Sequence, residues 1–452
     1  VYYYNLNMKE YIGFLFTVLL LNCSEMEIQW EKTIDIAGAG NYSITDVALR
    51  HDVYFTGTYW TENRGPFCVT AQYDENGEVV WHAEYEPAGA NATYGRKVLP
   101  HGSVAGRDEG VFVHAQVVDS TGHINSALIR YDSLGAIVWV RMVQEPAEES
   151  ERESVMLVDY SGDIYLAGLR TDSGGTISIF ISKYDTEGDK VWSTTYFNPD
   201  IQFRHIKCDV RDGSQFVMAG VLEDSRDFGF VRFDRMGHVA SFVRFETVEQ
   251  EEMLADIELD VDGTVSMTGM SFSERTHSDF LTVVYGKEDT VVWSQRRDGA
   301  GHFDDIPRGM AIDESSHVYV TGSSINEHGI PEILTVRYDR RGNELWHTTY
   351  RRKKGEAAEP HFLDAGLIRF SRGETFQNFA IAGTVGNDIV LLSHSTNGFI
   401  SWAKVYKPRG EKNRPTALSG NCIAVESMTA DKTHATIVKY AQARQFGIAR
   451  WD

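Results

Sequence analysis

His123, His277 and His328 are the sequence's nearest approach to a metal-ligating set. Three imidazoles can hold zinc and leave a fourth position open for water. These three sit in loops of separate sequence units, with no i, i+2 or i, i+4 spacing to aim two rings at one ion. Solvated loop histidines are therefore the expectation, and no metal site is assigned. Tyr59, Trp60 and Arg64 offer a different chemistry, because aromatic residues and arginine anchor protein interfaces; the competing explanation has Trp60 folding over its own loop. Glu145, Glu148, Glu149, Glu151 and Glu153 form an acidic loop, and Arg351-Arg352-Lys353-Lys354 a basic one. Each reads as a solvated segment, or else as a steering patch for a charged partner.

Reactive motifs are missing from the sequence. There is no Gly-x-Ser-x-Gly elbow, no His-Glu-x-x-His, no P-loop and no Gly-x-Gly-x-x-Gly after a strand. Distant loops can still assemble a carboxylate pair for glycoside hydrolysis, but 65 acidic residues give no basis for choosing one. No catalytic residue and no cofactor is assigned. The formal charge of −22 repels phosphate backbones and disfavours a nucleic-acid partner. Hydrophobic residues make up 42% and aromatic residues 12%, enough for a sizeable core. Four cysteines cannot form a disulfide framework; Cys68, Cys208 and Cys422 lie in strand-like runs and read as buried, inert thiols.

The elements that must position these residues come from an internal repeat. The unit is aromatic-Asp-x-x-Gly-x-x-x-Trp, complete at Tyr73–Trp81, Tyr131–Trp139, Tyr184–Trp192 and Tyr338–Trp346. Tyr285–Trp293 has Gly286 and Asp289 in exchanged places, and the copy at Phe233 has Ser241 where tryptophan belongs. Weaker copies end at Trp402 and Trp451, and Trp30 precedes the first unit. The period is 49 to 58 residues. That is too long for helical solenoid repeats and near the length of a four-stranded propeller blade. Each unit holds short β-rich runs divided by turn residues. The sequence thus predicts an all-β propeller of four-stranded antiparallel blades, eight rather than seven, spanning 43–452. A strand around Glu27–Ile34 is expected to close the ring, since closure removes exposed sheet edges. Asp-x-x-Gly is turn chemistry, and a recurring Trp suits a seam between sheets. Trp30, Trp81, Trp139, Trp192, Trp293, Trp346, Trp402 and Trp451 are the expected docking residues.

In such a ring the A–B and C–D turns lie on one face, and the B–C and D–A loops on the other. The latter vary in length here, as in Tyr59–Pro66, Val118–Asn125, Ser271–Asp279 and Ile325–Pro331. Variable loops on a rigid scaffold are the usual place for binding.

The pattern Asp305-Ile306-Pro307-Arg308-Gly309-Met310-Ala311-Ile312-Asp313, then Tyr319-Val320-Thr321-Gly322, resembles the bacterial SBBP β-propeller repeat over about residues 27–452. The Gly-x-x-x-Trp element is similar to the tryptophan-docking repeat of quinoprotein-like propellers. Among the first residues, Lys9 precedes the apolar run Tyr11–Leu21, which fits a secretory signal within 1–22. Leu20-Leu21-Asn22-Cys23 resembles a bacterial lipobox, departing from it at Asn22, and this implies lipidation of Cys23. Together these resemblances imply an exported lipoprotein at the bacterial cell envelope, outer-membrane, surface-bound or secreted. It would be a non-enzymatic module that binds a protein, glycan or envelope component and meets the membrane only through its lipid. The alternatives are a secreted carbohydrate-active enzyme on the same ring and an envelope-assembly scaffold.

Overall fold

The computed structural model describes residues 26–442 except 36–39, 103–107, 144–148, 160, 198–202, 211–214, 223–226, 246–251, 261, 274–276, 352–356, 365–378, 386, 396, 409–411, 420–421 and 429–432. Cys23 and Trp451 therefore lie outside the described residues. The chain forms eight four-stranded antiparallel sheets arranged as an eight-bladed β-propeller, with no helix among the described residues. Blade 1 comprises strands A to D at Asn41–Leu49, Val53–Trp60, Phe67–Tyr73 and Val79–Tyr85. Blades 2, 3 and 4 follow at 90–143, 149–196 and 203–245, and blades 5, 6 and 7 at 252–297, 305–350 and 358–406.

Blade 8 is composite. Its strands A, B and C are Lys412–Ser419, Cys422–Met428 and Thr433–Gln442, and its strand D is Met26–Thr33 from the start of the chain. The closing pair is antiparallel, running from Met26↔Gln442 to Thr33↔Thr436. Trp30 thus takes the strand-D position of the last blade, the place that the sequence periodicity alone assigns to Trp451.

Strands B and C are buried on both faces because each blade is covered by two neighbours. The in–out alternation of a half-exposed strand is absent there: Val53 to Tyr59 and Phe67 to Tyr73 are buried at every position. Strand D is the outer strand, and its alternating burial shows one face turned to solvent. Burial of this kind contributes about 1.5–3 kcal/mol for each large side chain.

The seams between blades are built at two radii. At the outer radius, the indole of one blade lies on the C–D turn of the next. A Cβ added to Gly77, Gly135, Gly188, Gly237, Gly342 or Gly398 would lie 2.6–2.8 Å from Trp30, Trp81, Trp139, Trp192, Trp293 and Trp346 respectively. These glycines have φ between +78° and +82°, so both backbone conformation and space demand glycine. The Nε1–H groups of Trp30, Trp139 and Trp192 donate to the carbonyls of Glu75, Thr186 and Arg235 at 3.0–3.3 Å. Trp402 lies in strand D of blade 7, but its side chain is outside the described set.

At the inner radius, half-buried aspartates on strand A reach the next blade. Asp46 accepts the Val98 N–H at 2.9 Å, Asp209 that of Leu259 at 2.7 Å, and Asp256 that of Met310 at 3.0 Å. Burial raises the pKa of Asp46 and Asp256, and nearby Lys97 and Lys207 oppose that shift. These aspartates interrupt the A strands (Thr45-Asp46-Val47, Ala255-Asp256-Ile257) at positions outside the aromatic-Asp-x-x-Gly-x-x-x-Trp repeat.

Blade 4 lacks the indole, and its seam with blade 5 is closed differently. Asp289 stands where the docking glycine should be, at φ 58°. Its carboxylate receives Arg232 at 2.7 and 3.1 Å and the hydroxyl of Ser241. The two sequence irregularities, Ser241 for Trp and Asp289 for Gly, face each other across one seam and compensate each other.

Candidate functional site

The Asp-x-x-Gly turns share one hydrogen-bond pattern. In Asp74–Glu78, the Gly77 N–H donates to the Asp74 carbonyl at 3.1 Å, and the Asp74 N–H to the Glu78 carbonyl at 2.9 Å. The Asp74 carboxylate accepts the Glu78 and Asn76 N–H groups at 2.8 and 2.9 Å. These bonds hold the Asp74 pKa below its usual value. The repeated aspartates serve the turn's own backbone.

The B–C loops are less individual than their sequences suggest. Asp119–His123, Asp172–Thr176 and Asn326–Ile330 repeat the same tight turn, with the same carbonyl and N–H pairs. His123 and His328 are turn residues whose N–H groups donate to Asp119 and Asn326. His277 lies in blade 5 with φ 59° and is exposed. Among the described residues, the three histidines do not form a metal-ligating group. The span Ser271–Asp279 is mostly strand, since strands B and C of blade 5 extend to Ser273 and from His277.

Tyr59 is buried at 4% exposure between Tyr42 and Phe67, with ring centroids 4.6 and 4.9 Å away. It is therefore a core residue and leaves the set of displayed anchors. Trp60 is half-buried at the end of strand B. Arg64 is at the surface, but it is held by Glu84 and Glu86 at 2.9 Å and lies 3.6 Å from the Phe67 ring centroid. Cys68 and Cys422 are buried free thiols, and burial pushes their pKa values up to about 11 and about 12.

Two features at the blade 5–6 seam were not picked out by sequence motifs. On the B–C and D–A side, the carboxylates of Asp279, Asp298 and Asp305 offer oxygens within 4.8 Å of one another. Asp279 comes from strand C of blade 5, Asp298 follows strand D, and Asp305 opens strand A of blade 6. Asp279 and Asp305 are fully buried. Arg296 Nε donates to Asp279 at 2.7 Å, His302 Nδ1 lies 2.6 Å from Asp298, and the Gly299 N–H donates to Asp305. Burial pushes the Asp305 pKa up to about 6; the Ser324 hydroxyl and the Gly299 N–H oppose that shift, and the two neighbouring carboxylates add to it. On the opposite side lies a cleft of about 310 Å³ lined by Asp260, Asp262, Trp293, Ile312, Val318 and Arg340. Asp262 has a lowered pKa through its Thr264 hydrogen bond and the Arg340 charge.

No family model matches the chain, and no curated protein matches it. Among solved structures, the WD40 domain of SCAP from fission yeast is 9% identical with a TM-score of 0.48, covering 92% of this chain and 98% of that one. The polysaccharide lyase Uly1 is 12% identical with a TM-score of 0.42, covering 78% and 93%. Drosophila semaphorin 1a, domains 1–2, is 8% identical with a TM-score of 0.44, covering 73% and 83%. At such identities these likenesses concern the propeller alone.

Proposed function

We propose that the chain is a non-enzymatic binding or scaffold propeller of the SBBP type, exported and lipid-anchored through Cys23, that presents its B–C and D–A face to a protein, glycan or other envelope component. The observation that supports this reading is the construction of the ring. Six outer seams use the same indole-on-glycine lock, and the seam between blades 4 and 5 replaces it with an ion pair. Such repetition gives a rigid platform, and loops on a rigid platform can be varied without disturbing it. The Tyr59–Pro66 segment, with half-buried Trp60 and surface Arg64, is the lead contact region.

The test has three arms on the full chain. Labelling with a palmitate analogue marks the wild type and spares Cys23→Ala if the anchor is correct; equal labelling removes it. Cross-linking in envelope preparations should give a discrete adduct that is lost when Trp60→Ala and Arg64→Ala are combined. Depolymerisation of an acidic or neutral polysaccharide panel by the purified chain would overturn the non-enzymatic reading.

A further inference from the structure

We propose that Asp279, Asp298 and Asp305 form a calcium site that ties the D–A loop between blades 5 and 6 to strand C of blade 5. The three side chains come from three separate elements and converge until their ligand oxygens lie within 4.8 Å. Two oxygens bound to one calcium can be no farther apart than twice the Ca–O distance, about 5 Å. The spacing meets that limit without any movement.

A second observation points independently to a ligand. Asp305 is fully buried, yet its Oδ1 has no hydrogen-bond partner among the described residues; the same is true of the buried Oδ1 of Asp298. A buried carboxylate oxygen without a donor carries its whole desolvation cost. The Gly299 N–H and the Ser324 hydroxyl serve Asp305, and His302 serves Asp298. Asp298 and Asp305 are thus held in place while each keeps its Oδ1 without a donor. The loop is also shaped to the site: a Cβ at Gly299 would lie 2.7 Å from both oxygens of Asp305.

Charge and ligand type select the ion. Three carboxylates against the single guanidinium of Arg296 leave an excess of two negative charges, which a divalent ion neutralises. An all-oxygen set suits a hard cation, whereas zinc favours nitrogen and sulfur. Magnesium usually takes one or two carboxylates and keeps several waters, so three convergent carboxylates favour calcium. Asp298 is 25% exposed at its side chain, which leaves an open side through which waters complete the coordination.

The test uses the full chain stripped with a chelator and titrated with CaCl2 by calorimetry and equilibrium dialysis. The wild type should bind one equivalent at this site, with MgCl2 requiring at least about tenfold more ion. Asp298→Asn and Asp305→Asn should each weaken binding at least about tenfold, while Asp74→Asn, in a turn of blade 1, should leave it unchanged. Asp298→Asn, at the rim, decides the matter should Asp305→Asn fail to fold. No binding by the wild type at about 5 mM calcium, or unchanged binding in Asp298→Asn, overturns the site.

Discussion

Ser241 and Asp289 should behave as one substitution split over two blades. Asp289→Gly alone removes the carboxylate partner of Arg232, whose side chain is only 7% exposed and keeps its bond to the Gly263 carbonyl at 3.2 Å. Breaking a buried ion pair from one side in this way costs about 3–5 kcal/mol. Glycine at φ 58° recovers up to about 1 kcal/mol of that, since non-glycine residues are disfavoured there. Ser241→Trp alone drives an indole onto the Asp289 side chain, and overpacking costs about 1–3 kcal/mol. The pair together rebuilds the seam used elsewhere. Arg130 shows that an arginine at this position tolerates such a seam: it donates to the Thr186 carbonyl at 3.1 Å and lies 3.4 Å from Glu187, while Trp139 docks on Gly188. Lys287 and Glu288 occupy the equivalent turn positions in blade 5 and can receive Arg232 in the same way. The double variant should therefore lie within about 1 kcal/mol of the wild type, with a coupling energy of about 3 kcal/mol or more. Urea and thermal unfolding of the four proteins measure this, with about 1 °C of melting temperature per kcal/mol expected for a ring of this size. Additive losses in the double variant would refute compensation across the seam.

His394 takes the aromatic position of blade 7, stacked 6.2 Å from Trp346, and neither ring nitrogen has a partner among the described residues. Burial holds its pKa down at about 4. Below about pH 6.5 the unfolded chain accepts a proton that the folded ring refuses, so stability present above that pH is lost toward pH 4, by up to about 1.4 kcal/mol per unit. His394→Phe should lose less melting temperature between pH 7 and 5 than the wild type, and an unchanged profile contradicts the assignment. His114 is fully buried with its pKa depressed to about 3 and contributes a similar slope that remains in this variant. Trp346→Ala should cost about 3–5 kcal/mol, as truncation of a packed tryptophan does; an unchanged melting temperature would contradict docking. Gly77→Val should be at least as harmful as Trp30→Ala, because it combines a positive φ with a clash into Trp30. A harmless Gly77→Val, followed by thermal unfolding, would count against the seam geometry.

The ring was legible in the sequence because six seams repeat the same demand: a positive-φ glycine in one blade and an indole about fifty residues earlier. Ser241 and Asp289 were each visible as departures from the pattern. Their meeting was not, because contact across a seam joins residues 48 apart and leaves no local trace. Asp279, Asp298 and Asp305 were hidden for the same reason, being supplied by two blades and three elements. A faint signal existed in Ser278-Asp279-Phe280, an acid at the head of an apolar strand, and in the glycine-rich acidic loop 298–305. Tyr59 misled because loop-edge aromatics look alike in sequence whether they face outward or inward. Its burial follows from Tyr42 and Phe67, which only the pairing of strands A, B and C brings beside it.

The most direct test of the eight-bladed ring is a cross-link across its closing strand pair. Thr33 and Thr436 face each other with hydroxyl oxygens 3.4 Å apart, in register, while lying 403 positions apart along the chain. Paired strand positions of this kind fall within the Cα separation a disulfide spans. In Thr33→Cys/Thr436→Cys, with Cys68, Cys208 and Cys422 as internal thiol controls, mild oxidation should form the bond and give a faster-migrating species on a non-reducing gel that reverts on reduction. Failure of the folded protein to form that bond would contradict closure by the N-terminal strand.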